Sequence, residues 1–207
     1  MQPFTTRTAV AAPLLAKIDT GMIVPGRFQR LPRRAGHADY ARVFLHDLRF
    51  DEHEHPRADF ILNQPAYQQT GILVTGPDFG CGSSRESAAY ATLDFGVRAL
   101  IGASFGDVYR GNCLQNGVLT ITLPPSVISG LFAQLHAAPG ATLTVDLPTQ
   151  TVTAPDGSAH VFDIDATRKE RLLKGLDDVG VTLQHLAQIE AFEAQYRSDM
   201  PWLAHLI

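Results

Sequence analysis

The segment from residue 71 to residue 103 constrains the fold most, because it shows the pattern of a strand, a helix and a second strand in succession. Residues 71–76 form a short apolar run with branched side chains between two glycines, which predicts a buried strand. Residues 87–95 are rich in alanine and precede Gly96, which predicts a helix with a C-terminal glycine cap. Residues 97–103 predict another buried strand. Because strands joined by a helix pair in parallel within one sheet, the sequence predicts an α/β fold.

The rest of the domain adds helices and then short strands. The further predicted elements are helices at residues 104–116 and 124–138, strands at 118–123, 142–147, 151–153 and 160–163, and a strand or short helix at 43–50. The last three strands alternate polar and apolar residues and are joined by turns, which predicts an antiparallel meander.

The final segment, residues 166–196, is predicted to be helical with interruptions at Gly175 and Gly180. Its apolar side chains recur at helical spacing, which predicts packing against the domain or a partner rather than cofactor binding. These side chains are Leu183, Leu186, Ile189 and Phe192. We therefore expect one domain at residues 1–165 and a helical extension at residues 166–207.

Composition excludes several classes of protein. The formal charge of −4 gives no general attraction to phosphate backbones, so no nucleic-acid partner is expected. No run of about twenty apolar residues exists, so no membrane span is expected. The absence of a signal-peptide pattern and the presence of only two cysteines, Cys81 and Cys113, favour a cytoplasmic location.

The donor residues do not form the pattern of a metal site. Two cysteines without a C-x-x-C pair are too few for an iron–sulfur cluster or a structural zinc ion, so the chain by itself is expected to hold neither. Residues 52–55 alternate glutamate and histidine beside Pro56, and this short run is more typical of an exposed loop than of a metal site.

Residues 77–86, at the junction between the first predicted strand and its helix, place two serines and an arginine together. Ser83 and Glu86 have the spacing of a capping box, so one interpretation is a well-formed helix start. The other interpretation is an anion site, because Arg85 would lie near the positive end of a helix dipole, where a cation alone is unfavourable. The position at the carboxyl end of a strand favours the anion site.

The same motif resembles the signature of the swivelling domain of aconitase-type hydro-lyases: Gly80-x-Gly82-Ser83-Ser84-Arg85-Glu86 before an alanine-rich helix. Over nearly its full length the chain is similar to the family of bacterial 3-isopropylmalate dehydratase small subunits. The supporting segments lie at residues 18–25, 59–63, 104–112, 174–177 and 180–185.

The resemblance implies a three-layer β/β/α swivelling domain like the fourth domain of aconitase. It also implies a large-subunit partner that holds a 4Fe–4S cluster, and a small hydroxy-diacid as substrate. In such a complex, 2-isopropylmalate and 3-isopropylmalate are interconverted by dehydration and rehydration in leucine biosynthesis. Carried over to this chain, Ser83 is the base, and Ser84 and Arg85 bind the substrate's carboxylate. The resemblance also implies that Arg30 lies in the loop that contacts the variable side group of the substrate. Arg30 is therefore either a substrate contact or part of a solvated or interface surface.

Two departures from the family pattern keep alternatives open. The family has an Asp-Thr-Asp sequence where this chain has Asp19-Thr20-Gly21, and a histidine where this chain has Ser87. Both positions are expected near the site. The alternatives are a related hydro-lyase acting on citraconate or a dimethylmalate, and a non-catalytic regulatory subunit that retains the fold.

Overall fold

A computed structural model describes residues 1–14, 17–34, 37–82 and 85–202. Its sheet contains the strands β1 (Thr6–Leu14), β2 (Thr70–Thr75), β3 (Ala99–Gly102), β4 (Leu119–Thr122), β5 (Thr142–Asp146), β6 (Thr151–Thr153) and β7 (Ala159–Val161), in the order β4-β3-β2-β1-β5-β6-β7. The helices are α1 (Thr20–Ile23), α2 (His46–Arg49), α3 (Glu86–Asp94), α4 (Asp107–Gln115), α5 (Pro125–Ala137), α6 (Ala166–Lys174), α7 (Asp178–Leu183) and α8 (Leu186–Asp199). Short 3-10 turns lie at Gly26–Phe28, Ile61–Asn63 and Pro65–Tyr67. The mixed α/β architecture predicted from the sequence is confirmed.

The sheet has a parallel half and an antiparallel half that meet at β1. Strands β1 to β4 pair in parallel, as the strand–helix–strand pattern predicts, and β5 to β7 form the predicted antiparallel meander. The central strand β1 was not among the predicted strands. Pro13 lies in the part of β1 that pairs with β2 but not with β5, so its missing N–H leaves no gap in a two-sided ladder.

Both faces of the parallel half are buried. Ile72 and Val74 of β2 point into one apolar cluster, which also contains side chains of α5. Leu73, between them, points into a second cluster with side chains of α3 and α4. This burial on both sides explains why β2 is a continuous apolar run rather than an alternating one.

The C-terminal segment is helical, as predicted, but one of its predicted breaks is wrong. Gly175 ends α6 with a φ of 69°, in the left-handed region that favours glycine. Gly180 lies inside α7, where its N–H donates to the side chain of Asp177, and the chain instead leaves the helix after Leu183. Residues 43–50 contain the short helix α2 rather than a strand.

The predicted apolar stripe of this segment is largely exposed. Leu183, Leu186 and Phe192 are 54%, 46% and 67% exposed and belong to neither of the two apolar clusters of the domain. Within the described part of the chain, no helix is long and apolar enough to cross a membrane.

Candidate functional site

Three chain segments meet at the carboxyl ends of β1, β2 and β3. Gly80, after β2, donates its backbone N–H to the carbonyl of Ile18, at 2.7 Å. The carbonyl of Cys81 accepts from the N–H of Thr20 at 3.0 Å, and the carbonyl of Phe79 accepts from Gly106 at 3.0 Å. The predicted location of the motif at the end of a parallel sheet is therefore confirmed, and this edge is where open α/β sheets bind ligands.

Gly80 is required by the close packing of these segments. Its φ is +74°, and a Cβ atom at this position would lie 2.1 Å from Cδ1 of Tyr109. The ring of Tyr109 is buried, and its hydroxyl lies 2.7 Å from Oγ1 of Thr92 in α3. Gly106 approaches equally closely, since a Cβ there would lie 2.4 Å from the carbonyl oxygen of Gly80. The motif thus rests on a rigid base of α3 and α4.

The entry to the motif is fixed by a reciprocal pair of hydrogen bonds. The hydroxyl of Ser104 accepts from the N–H of Asp78 and donates to Oδ1 of Asp78, both at 2.8 Å. Asp78 has a φ of 56°, a left-handed conformation that aspartate tolerates better than most residues. The loop after β3 therefore holds the turn after β2 in one conformation.

Arg85 immediately precedes α3 and is half-buried at this edge. Because α3 begins at Glu86, this glutamate occupies the first helical position and not the third position that the capping box requires. Its carboxylate accepts instead from the side-chain amide of Asn116, at 3.2 Å. Ser83 and Ser84 lie outside the described residues, so their roles as base and carboxylate ligand remain predictions.

The guanidinium of Arg85 lies against the segment after α1. Its Nη1 donates to the carbonyl of Val24 at 3.4 Å. With the side-chain amide oxygen of Gln29 facing the guanidinium, this oxygen accepts from Nη1 and Nε at 2.9 and 2.6 Å. Gln29 was missed in the sequence, because no local pattern signals a contact between segments so far apart in the chain.

Asp19 and Gly21 lie beside this arginine. The carboxylate of Asp19 accepts from the N–H of Met22 at 2.8 Å and so begins α1. A Cβ atom on Gly21 would lie 3.1 Å from Oδ1 of Asp19 and 3.4 Å from Nη1 of Arg85. Any side chain at position 21 would therefore enter the site, and the glycine leaves this space open. Ser87, the second departure from the family pattern, is half-buried in the first turn of α3.

The arginines of the loop after Gly26 have separate environments. Arg30 is exposed and takes part in none of the hydrogen bonds or ion pairs found among the described residues, so its substrate contact remains a prediction. Arg33 lies over the ring of Tyr90, 3.8 Å from its centroid, and 3.7 Å from the carboxylate of Asp94. Both of these contacts are with α3, so Arg33 fixes the loop to that helix.

A buried histidine fixes the start of the same loop. The ring of His46 packs between Phe28 and Phe50, at centroid distances of 4.7 and 4.9 Å. Arg27 donates to the carboxylate of Asp47, and this hydrogen bond is the main reason that the pKa of Asp47 is lowered. The 3-10 turn at Gly26–Phe28 is therefore anchored to α2.

The cysteines do not provide a ligand set for a cluster. Cys113 is buried, and burial raises the pKa of its thiol to about 12, so it stays protonated and packs beside Tyr109. Cys81 is half-buried in the motif. Across residues 1–14, 17–34, 37–82 and 85–202, no group of three or more histidine, cysteine or acidic side chains could hold a metal ion. This donor set does not fit a 4Fe–4S cluster bound by this chain alone.

Three family models match successive parts of the chain. The aconitase C-terminal domain matches residues 1–126, and the model described as LeuD_N matches residues 129–166. The C-terminal domain of the 3-isopropylmalate dehydratase small subunit matches residues 178–205. The matched order supports an aconitase-like domain followed by a family-specific segment.

Similar proteins cover the whole chain. A "3-isopropylmalate dehydratase small subunit" from Dinoroseobacter shibae is 45% identical over 205 residues, which is 98% of this chain and 100% of that protein. One with the same name from Rhodospirillum centenum is 45% identical over 203 residues, 98% of each chain. The fold resembles the crystal structure of a 3-isopropylmalate dehydratase from Methanocaldococcus jannaschii, with a TM-score of 0.65 at 19% identity, covering 90% of this chain and 99% of that one. The chain therefore belongs to the family of 3-isopropylmalate dehydratase small subunits, and its fold is aconitase-like.

Proposed function

We propose that this chain is the small subunit of a heteromeric 3-isopropylmalate dehydratase, a hydro-lyase that interconverts 2-isopropylmalate and 3-isopropylmalate in leucine biosynthesis. Relatives with that name are 45% identical along nearly the whole chain. The observation that carries the proposal is Arg85, a half-buried cation at the edge where three loops meet. A guanidinium in this position suits a substrate carboxylate, which it can bind through two parallel hydrogen bonds.

In the proposed reaction, Arg85 and Ser84 bind one carboxylate of the substrate. The alkoxide of Ser83 removes the proton from the carbon next to that carboxylate and becomes a hydroxyl, which returns a proton to carbon when water adds back. The neutral serine hydroxyl is too weak a base for this step, so the alkoxide must be stabilised by a positive field in a site closed to water. Arg85 supplies a fixed positive charge close to Ser83 in the sequence.

The large subunit is the proposed partner and the proposed holder of the 4Fe–4S cluster. When bound, the cluster supplies a Lewis acid for the hydroxyl that leaves the substrate. The donor residues in the described part of the chain do not fit the cluster, which supports a division of the site between two subunits. Cytoplasmic location is proposed with this function, since the two described thiols are free.

The helical segment at residues 166–207 is the proposed docking element for that partner. Its apolar side chains include Leu186 and Phe192, which are exposed and contact no part of the domain's core. A family-specific model covers residues 178–205, beyond the part matched by the aconitase domain. The segment is thus matched by the model of the small-subunit family and not by the aconitase domain, which supports its role as the contact with a separate large subunit.

A related acid is a second candidate substrate because two side chains near the site differ from the family pattern. Gly21 leaves open the space between Asp19 and Arg85, where the family has a carboxylate. Citraconate and dimethylmalate have smaller side groups than isopropylmalate and are the alternatives to test.

The proposal is tested by anaerobic reconstitution of the full-length chain with its cognate large subunit, followed by assays on 3-isopropylmalate, citraconate and a dimethylmalate. We expect turnover of 3-isopropylmalate. Arg85→Lys should raise KM more than it lowers kcat, because lysine cannot reproduce the two-pronged contact. Arg42→Lys is the matched control, since Arg42 is in an exposed ion pair with Glu54. A complex with an intact cluster that turns over none of the three acids would disprove the catalytic role.

A further inference from the structure

We propose that Gln29 is a positioning residue that holds the guanidinium of Arg85 in its substrate-binding orientation. This inference rests on the proposed function, in which Arg85 binds the substrate's carboxylate. It also links that contact to the loop after Gly26, which contains Arg30.

The contact itself is specific in geometry. With its amide oxygen turned towards the guanidinium, Gln29 accepts from two nitrogens of Arg85, Nη1 at 2.9 Å and Nε at 2.6 Å. Among the hydrogen bonds of the described residues, Nη2 takes part in none, and we infer that this end of the guanidinium binds the substrate's carboxylate. The double contact fixes both the position and the tilt of the planar group.

The chemistry of an amide suits this role. A neutral oxygen accepts the two hydrogen bonds without cancelling the positive charge of Arg85, so the arginine keeps its attraction for a carboxylate. A glutamate at position 29 would form an ion pair with Arg85 and compete directly with the substrate. A leucine would have a similar size but no acceptor, and would leave the guanidinium free to rotate.

The segment that provides the amide is itself held firmly. Val24 and Gln29 lie on either side of the 3-10 turn at Gly26–Phe28, and both supply acceptors to Arg85. Phe28, adjacent to Gln29, packs on the buried ring of His46. Movement of this loop is therefore transmitted to Arg85, so a side group that displaces Gln29 also disturbs the carboxylate contact.

Among the described residues, position 21 adds no side chain beside the guanidinium. Gly21 places only backbone next to Nη1, although a side chain there would lie within 3.4 Å of it. Gln29 is consequently the side chain that fixes Arg85 from the loop side of the site.

The test compares Gln29→Leu and Gln29→Glu in the reconstituted complex, with Gln134→Leu as the control. Gln134 is on α5 and donates to Asp156, away from the three loops. For Gln29→Leu we expect KM to rise roughly tenfold, in line with the loss of hydrogen bonds to a charged group, while kcat changes by less than about twofold. Gln29→Glu should raise KM further, because its carboxylate competes with that of the substrate.

Calorimetric binding of malonate, a non-reacting dicarboxylate, gives a readout that does not need turnover. Its dissociation constant should rise in the order wild type, Gln29→Leu, Gln29→Glu, with equal unfolding midpoints for the three chains. Unchanged malonate affinity and KM in Gln29→Glu would overturn the inference, as would a wild-type complex that does not bind malonate. If the wild-type complex binds malonate but turns over no substrate, the proposed function fails while the order of malonate affinities still decides the role of Gln29.

Discussion

Replacing Gly80 with alanine probes the packing that places the motif over α4. The backbone of Gly80 has a φ of +74°, and its missing Cβ would lie 2.1 Å from Cδ1 and 2.4 Å from Cγ of Tyr109. The ring cannot move away easily, because it is buried and its hydroxyl lies 2.7 Å from Oγ1 of Thr92. The substitution therefore combines backbone strain with overpacking.

The two contributions have separate magnitudes. A residue other than glycine in the left-handed region costs about 1–2 kcal/mol. Overpacking a close-packed interior costs about 1–3 kcal/mol. Gly80→Ala should therefore lower the free energy of unfolding by about 2–5 kcal/mol.

Two other glycines separate these contributions experimentally. Gly82 has a φ of +94°, but a Cβ there would lie no closer than 3.6 Å to any atom of the described residues, so Gly82→Ala should cost only the strain of about 1–2 kcal/mol. Gly26 has no positive φ, and no atom of the described residues lies within 4 Å of the position that an added methyl group would take, so Gly26→Ala should stay within about 0.5 kcal/mol of wild type.

Urea unfolding followed by circular dichroism measures all three changes in the free subunit. Fluorescence is less suitable because the single tryptophan, Trp202, is exposed in the C-terminal segment. Equal losses of unfolding free energy for Gly80→Ala and Gly82→Ala would show that Tyr109 does not fill the space beneath Gly80.

Three further outcomes follow from the same structure. Iodoacetamide should modify the half-buried Cys81 in the native chain but should reach Cys113 only after unfolding. Mass spectrometry of the labelled peptides measures both reactions. Labelling of the two cysteines at equal rates would contradict the burial of Cys113. A hydrogen bond from Arg34 lowers the pKa of Asp39 from 3.8 to about 2. The ion pair therefore stabilises the folded chain fully above the ordinary pKa of aspartate, and this stabilisation is lost as pH falls through about 2. In an NMR titration, Arg34→Met should move the titration midpoint of Asp39 back towards 3.8. Phe192→Ser should leave the unfolding midpoint unchanged, because this side chain is 67% exposed. It should nevertheless weaken assembly with the large subunit, as measured by analytical ultracentrifugation. Unchanged assembly would show that Phe192 is not part of the interface.

Local patterns were sufficient for the elements that depend on local packing. The apolar run of β2 and the alanine-rich α3 are buried along much of their length, so their composition alone predicts them. Strand β1 was missed because its first half is polar and exposed, while its burial comes from neighbours distant in the chain. Gly180 was predicted to break a helix, but the N-cap of Asp177 holds it inside the first turn of α7.

The sequence predicted where the site lies but did not predict all of the residues that form it. A glycine-rich turn after a buried strand placed Arg85 at the sheet edge, and the structure agrees. Gln29 and Tyr109 gave no such signal, because an exposed glutamine and a helical tyrosine are ordinary residues in their own segments. Their roles depend on tertiary contacts with Arg85 and Gly80.

The most direct test of the central claim is the turnover of the reconstituted complex that contains Ser83→Ala. In this variant we expect kcat for 3-isopropylmalate to fall by roughly a hundredfold or more, the usual effect of losing a positioned base, while assembly and malonate binding remain. Ser129→Ala, at an exposed position on α5, is the matched control and should retain wild-type turnover. Normal turnover by Ser83→Ala in an intact complex would contradict the assignment of the base to this turn.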